Sequence, residues 1–336
     1  MNSNQNYYKL FLLIQVLKFC SSSGFSDDEK INVFNEVLDK DIGFLDSIGV
    51  DENAFIDSDD DEITGKLVAN YNHSNSNQNP EELGSYFEGD IRIPVRLYRK
   101  QKGGIFTKPL LWANGVVPYE IVGKFSSNEL AAIHWAFDQY HKRTCIRFRP
   151  RSSSNKERDY IAIVNGRSGC WSAVGRMGGR QEVNLQAPQC LMKRGTAIHE
   201  LMHVLGFIHE QNRFERDSYV VVRTENIKDD MKVNFVKSSQ PSVEYQQHQQ
   251  HHSATTTTTG RGIGYDYASV MHYSPTSFSK NGKPTIESRK ITKESRLMGQ
   301  RTGFSRVDVA KINFMYNCKN IDVLQGYELE SEYVDD

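Results

Sequence analysis

Two histidines and a glutamate lie close together within residues 196–210, near the middle of the chain. His199 and His203 are four residues apart, and residues at that spacing share one face of an α-helix. Both imidazoles can therefore point at a single metal ion. Glu200 directly follows the first histidine, where its carboxylate can reach a water molecule on that ion. This pattern is typical of a catalytic zinc site that activates water.

A third histidine follows the predicted helix and can complete this site. Gly206 can adopt the left-handed conformation that ends a helix and turns the chain sharply. That turn can bring His209 to the same side as the first two histidines. Three neutral imidazoles and one open position are what a catalytic zinc ion requires. The alternative is a core helix whose histidines are satisfied by hydrogen bonds, and the glycine and third histidine in register argue against it.

The stretch matches the long zinc signature of the metzincin proteases, and two further features narrow the resemblance. Glu210 directly follows the third histidine, and residues 269–273 end in His-Tyr. With these features the chain resembles the astacin family of metalloendopeptidases over about residues 87–318. The resemblance implies that Met271 forms an apolar floor beneath the imidazoles. It also implies that Tyr273 lies near the metal and donates a hydrogen bond to the oxyanion during turnover.

A run before the catalytic region resembles the motif with which astacins keep themselves inactive. Within residues 87–91, Asp90 stands where the family has an aspartate that binds the zinc in place of water. A carboxylate oxygen is a competent zinc ligand, and Gly89 lets the backbone approach closely. The alternative is a solvated turn. Basic residues at 99–102 offer a cleavage site to a trypsin-like activating protease, directly before Gly103.

The resemblance implies three further roles. Gly103 would become the new N-terminus, and its α-amino group would fold inward to pair with Glu210. Arg301, within residues 298–302, would line the pocket for the residue after the scissile bond, where a guanidinium favours acidic side chains. The edge strand that we predict at residues 178–185 would pair with the backbone of an extended substrate, and a plain sheet edge is the alternative.

Charge and hydropathy exclude several classes of partner. The 336 residues include 41 basic and 42 acidic ones, which gives a net charge of −1. This balance provides no electrostatic case for binding nucleic acid or an anionic membrane surface. No apolar run approaches twenty residues, so no membrane-spanning helix is expected. The expected partners are protein or peptide substrates and the activating protease.

The N-terminus and the cysteines indicate a secreted, extracellular protein. A positive charge, an apolar run and small residues follow one another within residues 1–24, as in a signal peptide, although a disordered terminus is the alternative. Removal of that peptide would take Cys20 with it and leave an even set of cysteines for disulfides. Spacing alone leaves every pairing of that set open. The resemblance implies Cys145–Cys318 and Cys170–Cys190.

Helices and strands must position these motifs. Ser126 and Glu129 have the spacing of a capping box, and the amphipathic pattern after them continues to Tyr140. Residues 146–148 and 160–164 have the apolar pattern of sheet strands. The fold that the resemblance implies is α+β and zincin-like. A twisted, mostly parallel sheet with helices would form its N-terminal half, and an irregular C-terminal half would enclose the zinc in a cleft between them.

The predicted organisation begins with the signal peptide at residues 1–24. A propeptide with the aspartate switch follows at 25–102, and its polar composition cannot order it alone. The catalytic domain covers 103–320 and is followed by an acidic tail at 321–336. Within the catalytic domain, the low-complexity insert at 238–260 contains histidines that could bind metal, although a surface loop is the interpretation we favour.

The predicted function is that of a secreted zinc endopeptidase made as a latent zymogen. Glu200 would accept the proton of the attacking water and pass it to the leaving amine. One alternative is a catalytically silent binding protein on the same scaffold, and the intact glutamate and histidines argue against it. Another is a disulfide-linked matrix protein, which would need neither Asp90 nor a processing site.

Overall fold

The fold is described from a computed structural model of the chain, for residues 58–72, 76–92, 111–152, 157–238 and 263–318. The first two ranges are called the N-terminal segment below. All five ranges belong to one structural unit. No helix within them has the length and apolar character needed to cross a membrane.

Helices and strands alternate in the first half of this unit, and irregular chain dominates the second. The α-helices are α1 (Ser58–Ala69), α2 (Ser127–Arg143), α3 (Gln189–Met192), α4 (Arg194–Val204) and α5 (Arg306–Met315). The strands are β1 (Val116–Ile121), β2 (Arg147–Pro150), β3 (Tyr160–Val164), β4 (Cys170–Ser172), β5 (Arg180–Leu185), β6 (Val220–Val222) and β7 (Ile286–Ser288). Short 3₁₀ helices cover Pro80–Leu83, Ala113–Gly115, Glu210–Asn212, Arg216–Ser218, Thr224–Asn226, Asp229–Phe235 and Glu294–Leu297.

The main sheet contains β1 to β5 in the order β2-β1-β3-β5-β4. Strands β2, β1, β3 and β5 run parallel, and β4 runs antiparallel to β5. Strand β3 is buried along nearly its whole length, as is usual for a parallel strand that is covered on both faces. In the C-terminal half, β6 and β7 form a small antiparallel pair. The predicted α+β fold with a mostly parallel sheet is confirmed.

The sheet edge differs from the prediction. We predicted the edge strand at residues 178–185, but β5 lies between β3 and β4, and β4 forms the edge. Strands β4 and β5 make an antiparallel hairpin, and their residue patterns do not reveal which of the two pairs with β3. The side-chain amide of Asn184 on β5 donates to the carbonyls of Gly166 and Gly169, which holds the chain that leads into β4. The prediction was therefore wrong by one strand.

Helix α2 supports the helix that contains the first two histidines. It begins at the predicted capping box, where the Ser126 amide donates to the Glu129 carboxylate at 2.7 Å. Its apolar face is buried against the sheet and α4. The hydroxyl of Tyr140 donates to the carbonyl of Ile198 on α4 at 2.8 Å. A buried hydroxyl requires a hydrogen-bond partner, and Tyr140 finds it on α4. This contact therefore helps to hold α4 against α2.

Two disulfides join distant parts of this unit. Cys145, before β2, is bonded to Cys318, after α5. Cys170 on β4 is bonded to Cys190 on α3, which ties the sheet edge to the short helix before α4. Both pairings are those that the family resemblance implies.

The N-terminal segment lies against the sheet edge. The Gln186 side chain donates to the carbonyl of Gly65 in α1 at 2.9 Å. Farther along, the Ser172 amide on β4 donates to the Asp90 carbonyl at 3.0 Å, and the Arg92 amide donates to the Ser172 carbonyl at 2.8 Å. The segment therefore adds a short piece of extended backbone to the edge of the main sheet.

Candidate metal centre and active site

The three predicted zinc-binding histidines converge at one point. His199, His203 and His209 are completely buried, and their ring centroids lie 4.7 to 5.1 Å apart. Together with Asp90 they form a cluster in which one ligand atom of each residue lies within 4.8 Å of the others. The fold therefore brings together the four residues that the sequence predicted for the metal and its switch.

Hydrogen bonds behind the rings determine which nitrogen atoms face the centre. Nδ1 of His199 donates to the Val270 carbonyl, and Nδ1 of His203 donates to the Phe207 carbonyl, each at 2.7 Å. Both rings therefore present Nε2 to the centre, the arrangement that orients metal-binding histidines. The Phe207 carbonyl reaches its position because Gly206, with a φ of 112°, makes the predicted turn after α4.

The third histidine receives its partner from the N-terminal segment. Nδ1 of His209 lies 2.7 Å from a carboxylate oxygen of Glu88, which is 4 % exposed. A carboxylate behind a metal-binding imidazole orients the ring and raises its basicity. The sequence pattern did not indicate this role for Glu88, although the residue stands inside the run that contains Asp90.

Asp90 lies at the centre of the three imidazoles. Its Oδ2 is 2.9 Å from Nε2 of His199 and 3.3 Å from Nε2 of His209, and its Oδ1 is 3.4 Å from Nε2 of His203. Oδ1 of Asp90, Nε2 of His203 and Oε1 of Glu200 are buried without a hydrogen-bond partner among the described residues. Unpaired buried polar atoms are rare in proteins, and imidazole nitrogens with a carboxylate oxygen are zinc ligands. The residues at this centre therefore fit a zinc ion.

A glycine allows the aspartate to enter the centre. Gly89 has a φ of 89°, a backbone conformation that residues other than glycine rarely adopt. A Cβ atom at this position would lie 2.7 Å from the Phe278 ring. Any larger residue would therefore strain the backbone next to Asp90 and clash with the Phe278 ring unless that ring moved.

Glu200 lies beside the imidazoles and is held by the sheet edge. Its side chain is completely buried, and Oε2 accepts a hydrogen bond from the Ser172 hydroxyl at 2.9 Å. Burial, followed by the nearby carboxylates of Asp90 and Glu81, raises the pKa of Glu200 well above its usual value. The second oxygen of the carboxylate stays free of protein partners among the described residues and can take up a proton.

Tyr273 packs against the third histidine, and Met271 is hydrogen-bonded through its backbone to the residue that follows that histidine. The Tyr273 ring packs on His209 with a centroid distance of 4.6 Å, and its hydroxyl donates to the Glu88 carbonyl at 2.5 Å. Burial, with the carboxylates of Glu88 and Asp90, raises the pKa of Tyr273 well above its usual value, so the hydroxyl keeps the proton that a donor needs. Met271 is buried, and its carbonyl accepts from the amide that follows His209.

Glu210 already has a lysine partner. Arg213 is the nearest cation in sequence, but Nζ of Lys311 on α5 donates to both carboxylate oxygens at 2.7 Å. Arg213 lies farther away, at 3.7 Å. Burial alone would raise the pKa of Glu210, but Lys311 and then Arg213 outweigh it and hold the pKa below its usual value. Lys311 is therefore a partner of Glu210 that sequence spacing did not reveal, and the pairing of Glu210 with Gly103 stays a prediction.

Arg301 also faces an acidic partner. Its side chain is completely buried, and its guanidinium donates to the carboxylate of Glu81 and to the carbonyls of His272 and Gln300. Burial raises the pKa of Glu81, and Arg301 opposes this shift. The residue that we predicted to receive acidic substrate side chains is therefore in contact with a carboxylate of the N-terminal segment.

Several predictions concern residues outside the described ranges. They are the signal peptide at 1–24, the processing site at 99–102, Gly103 as the new N-terminus, most of the insert at 238–260, and the acidic tail at 321–336. They stay predictions. The boundaries of the propeptide and of the catalytic domain fall there too.

Comparison with known proteins identifies the family. The family model for Astacin, a family of peptidases, matches residues 105–317, which is more than half of the chain. Zinc metalloproteinase nas-13 of Caenorhabditis elegans is 40 % identical over 245 residues, covering 73 % of this chain and 49 % of that protein. Zinc metalloproteinase nas-8 of Steinernema carpocapsae is 36 % identical over 284 residues, covering 82 % and 63 %. The chain thus spans about half to two thirds of the length of these relatives.

A solved structure supports the same assignment. High choriolytic enzyme 1 of Oryzias latipes, a hatching enzyme zinc-protease, aligns with a TM-score of 0.51 and 36 % identity, covering 63 % of this chain and 94 % of that chain. The predicted cofactor, zinc, agrees with these relatives and with the buried cluster of three histidines and an aspartate. This chain belongs to the astacin family of peptidases.

Proposed function

We propose that this chain is a secreted zinc endopeptidase that is made as a latent zymogen and cleaves protein or peptide substrates. The observation that carries the proposal is the position of Asp90, whose carboxylate lies between three buried imidazoles while its backbone pairs with the sheet edge. A carboxylate there occupies the place that an attacking water would need. Removal of the N-terminal segment would open that place.

The chemistry of peptide hydrolysis is distributed over three side chains. When bound, zinc supplies the acidity that lets water attack at neutral pH and polarises the scissile carbonyl. Glu200 accepts the proton of the water through Oε1 and passes it to the leaving amine, and the Ser172 hydroxyl keeps its carboxylate oriented. Tyr273 donates to the developing oxyanion once its hydroxyl has lost the Glu88 carbonyl.

The substrate would bind as an extended peptide along β4. In the latent form the backbone of the N-terminal segment pairs there with Ser172. This pairing supports the proposal that the edge accepts an extended chain. Main-chain pairing at a sheet edge gives affinity that does not depend on the substrate sequence. Pockets for individual side chains would then decide specificity.

Activation would follow cleavage between Lys102 and Gly103 by a trypsin-like protease. The basic residues at 99–102 suit such an enzyme, and the cut would separate Asp90 from the catalytic part of the chain. The disulfides and the predicted signal peptide at residues 1–24 support an extracellular location. The new α-amino group of Gly103 would join Lys311 and Arg213 as a further cation near Glu210.

Asp90→Ala in the full chain is expected to release activity before any cleavage, because the carboxylate no longer fills the place of the water. Casein hydrolysis is measured on the untreated and the trypsin-treated chain, with and without a metal chelator. The native chain should be inactive until trypsin is added, and the chelator should then abolish its activity.

The control for this experiment is Asp229→Ala, which removes an exposed carboxylate far along the chain from the switch. It should remain as latent as the native chain. Full activity of the untreated native chain, or trypsin-activated hydrolysis that resists the chelator, would contradict the proposed function.

Arg301→Ala is expected to weaken a preference for Asp or Glu directly after the scissile bond. A guanidinium held by two backbone carbonyls is a fixed partner for a carboxylate, and one charged hydrogen bond corresponds to about tenfold or more in relative affinity. The measurement is the ratio of kcat/KM for peptides that differ only by Glu or Gln at that position. Arg296→Ala, at an exposed arginine, should leave the ratio unchanged. A native ratio near one would refute the acidic preference.

A further inference from the structure

A short turn of the N-terminal segment, upstream of Asp90, buries two acidic side chains. Glu81 and Glu82 lie in the 3₁₀ helix Pro80–Leu83, and they are only 1 % and 3 % exposed. Acidic residues are seldom buried so deeply unless they have partners. The turn therefore has partners that determine where it lies.

The partners of Glu81 form a pocket that binds a carboxylate. One oxygen of Glu81 accepts from the guanidinium of Arg301, and both side chains are completely buried. The other oxygen lies 3.4 Å from the hydroxyl of Thr196, which is on α4 one turn before His199. Arg301 is held in place by backbone carbonyls, and its Nη2 has no partner among the described residues.

The neighbouring residues fix the turn around this contact. Glu82 accepts hydrogen bonds from the amide and the hydroxyl of Ser274, each at 2.6 Å. Asn79 donates to the Gly299 carbonyl at 2.9 Å and accepts from Lys193 at 3.1 Å. The pocket residue Arg301 and the turn are thus joined by contacts that do not include any of the three imidazoles.

We infer that Glu81 is a second anchor of the N-terminal segment. The Glu81 side chain occupies the pocket that Arg301 offers to an acidic side chain, as a substrate side chain would, and it holds the segment without the metal. The inference rests on the proposed latency and deepens it. Loss of the Glu81 carboxylate leaves Arg301 as a buried cation without its partner, which is strongly unfavourable. After activation, the acidic side chain of a substrate restores that pair.

The inference predicts that the cleaved segment binds back to the activated enzyme. A peptide of residues 76–92 carries both Glu81 and Asp90, and it would compete with substrates that have an acidic residue after the scissile bond. The anchoring carboxylate and the aspartate are on separate turns, so either contact can be removed without the other.

Hydrogen exchange on the full chain tests the anchor without using activity. The native chain, Glu81→Gln and the control Glu62→Gln are compared after zinc has been removed by a chelator. Glu62 is an exposed glutamate on α1 of the same segment and pairs with Lys66 at the surface. The amides to follow are those of Glu82, Gly84, Gly89 and Ile91, which donate to backbone carbonyls within the segment.

The native chain and Glu62→Gln should keep protection at these amides when zinc is absent, and Glu81→Gln should lose about a hundredfold or more, because one partner of a buried ion pair is gone. Equal exchange in Glu81→Gln and the native chain would overturn the inference. So would complete loss of protection in the native chain on zinc removal, since the metal would then be the anchor.

Synthetic peptides keep the inference testable if Glu81→Gln does not fold. The peptide of residues 76–92 is added to the trypsin-activated native enzyme, and competitive inhibition is measured beside a peptide with Glu81→Gln. The native peptide should bind about a hundredfold more tightly. Equal inhibition by the two peptides would overturn the anchor. A chain without peptidase activity would contradict the proposed function, while the exchange experiment would still report on Glu81.

Discussion

Replacing Glu200 with alanine is expected to abolish peptide hydrolysis and to leave the metal in place. The side chain is completely buried beside the imidazoles, and its Oε1 has no partner among the described residues, so it can receive a proton from water. Removal of a general base typically costs about a hundredfold to ten-thousandfold in rate. The metal should remain because the three imidazoles, and the carbonyls that orient His199 and His203, are unchanged. Activity of the trypsin-treated chain and its zinc content are the two measurements.

Glu200→Gln separates the chemistry from the packing. Glutamine has the same shape and can still accept the hydrogen bond from Ser172, but it cannot take up the proton. It should be about as inactive as Glu200→Ala, with zinc content and melting temperature close to the native values. Glu294→Gln, at an exposed glutamate, should hydrolyse casein at the native rate. Near-native turnover by Glu200→Gln would show that another group is the base.

Lys311→Met is expected to destabilise the protein more than any surface substitution. Nζ of Lys311 donates to both oxygens of Glu210, and the two side chains are 1 % and 5 % exposed. Removing one partner of a buried ion pair typically costs about 3–5 kcal/mol, because a buried charge is left alone. Arg213 at 3.7 Å compensates part of the charge, so we expect the lower end of that range. For a unit of this size, about 3 kcal/mol lowers the melting temperature by about 6–12 °C.

Two variants decide whether loss of the Lys311–Glu210 pair causes the fall in melting temperature. Glu210→Gln combined with Lys311→Met removes both charges and should be more stable than Lys311→Met alone, because no buried charge remains unpaired. Lys232→Met breaks an exposed pair with Asp229 at 2.8 Å and should change the melting temperature little. If Lys311→Met melts at the native temperature, the pair does not stabilise this fold.

Local spacing predicted the parts of the site that lie within one or two helical turns. His199 and His203 share a helix face because the α-helix repeats every 3.6 residues, and Gly206 ends that helix because it tolerates a φ of 112°. The capping box at Ser126 formed as predicted for the same reason, since its partners are three residues apart. Such features depend on backbone geometry over a few residues, which the residue types alone specify.

The family resemblance supplied what spacing could not, above all the approach of Asp90 to the imidazoles. Asp90 and His199 are 109 residues apart in the chain, and no periodicity connects them. The disulfide pairing also came from the resemblance, because spacing left several arrangements of the cysteines open. In the fold, Cys145 lies next to Cys318.

Tertiary structure alone decided the remaining contacts. Lys311 lies beside Glu210 although the two are 101 residues apart, and Glu81 meets Arg301 across 220 residues. The choice of β4 over β5 as the sheet edge also depended on the pairing of β5 with β3. A buried charge requires a partner, but any cation that the chain path brings near can serve, so the residue types indicate the need and the fold selects the partner.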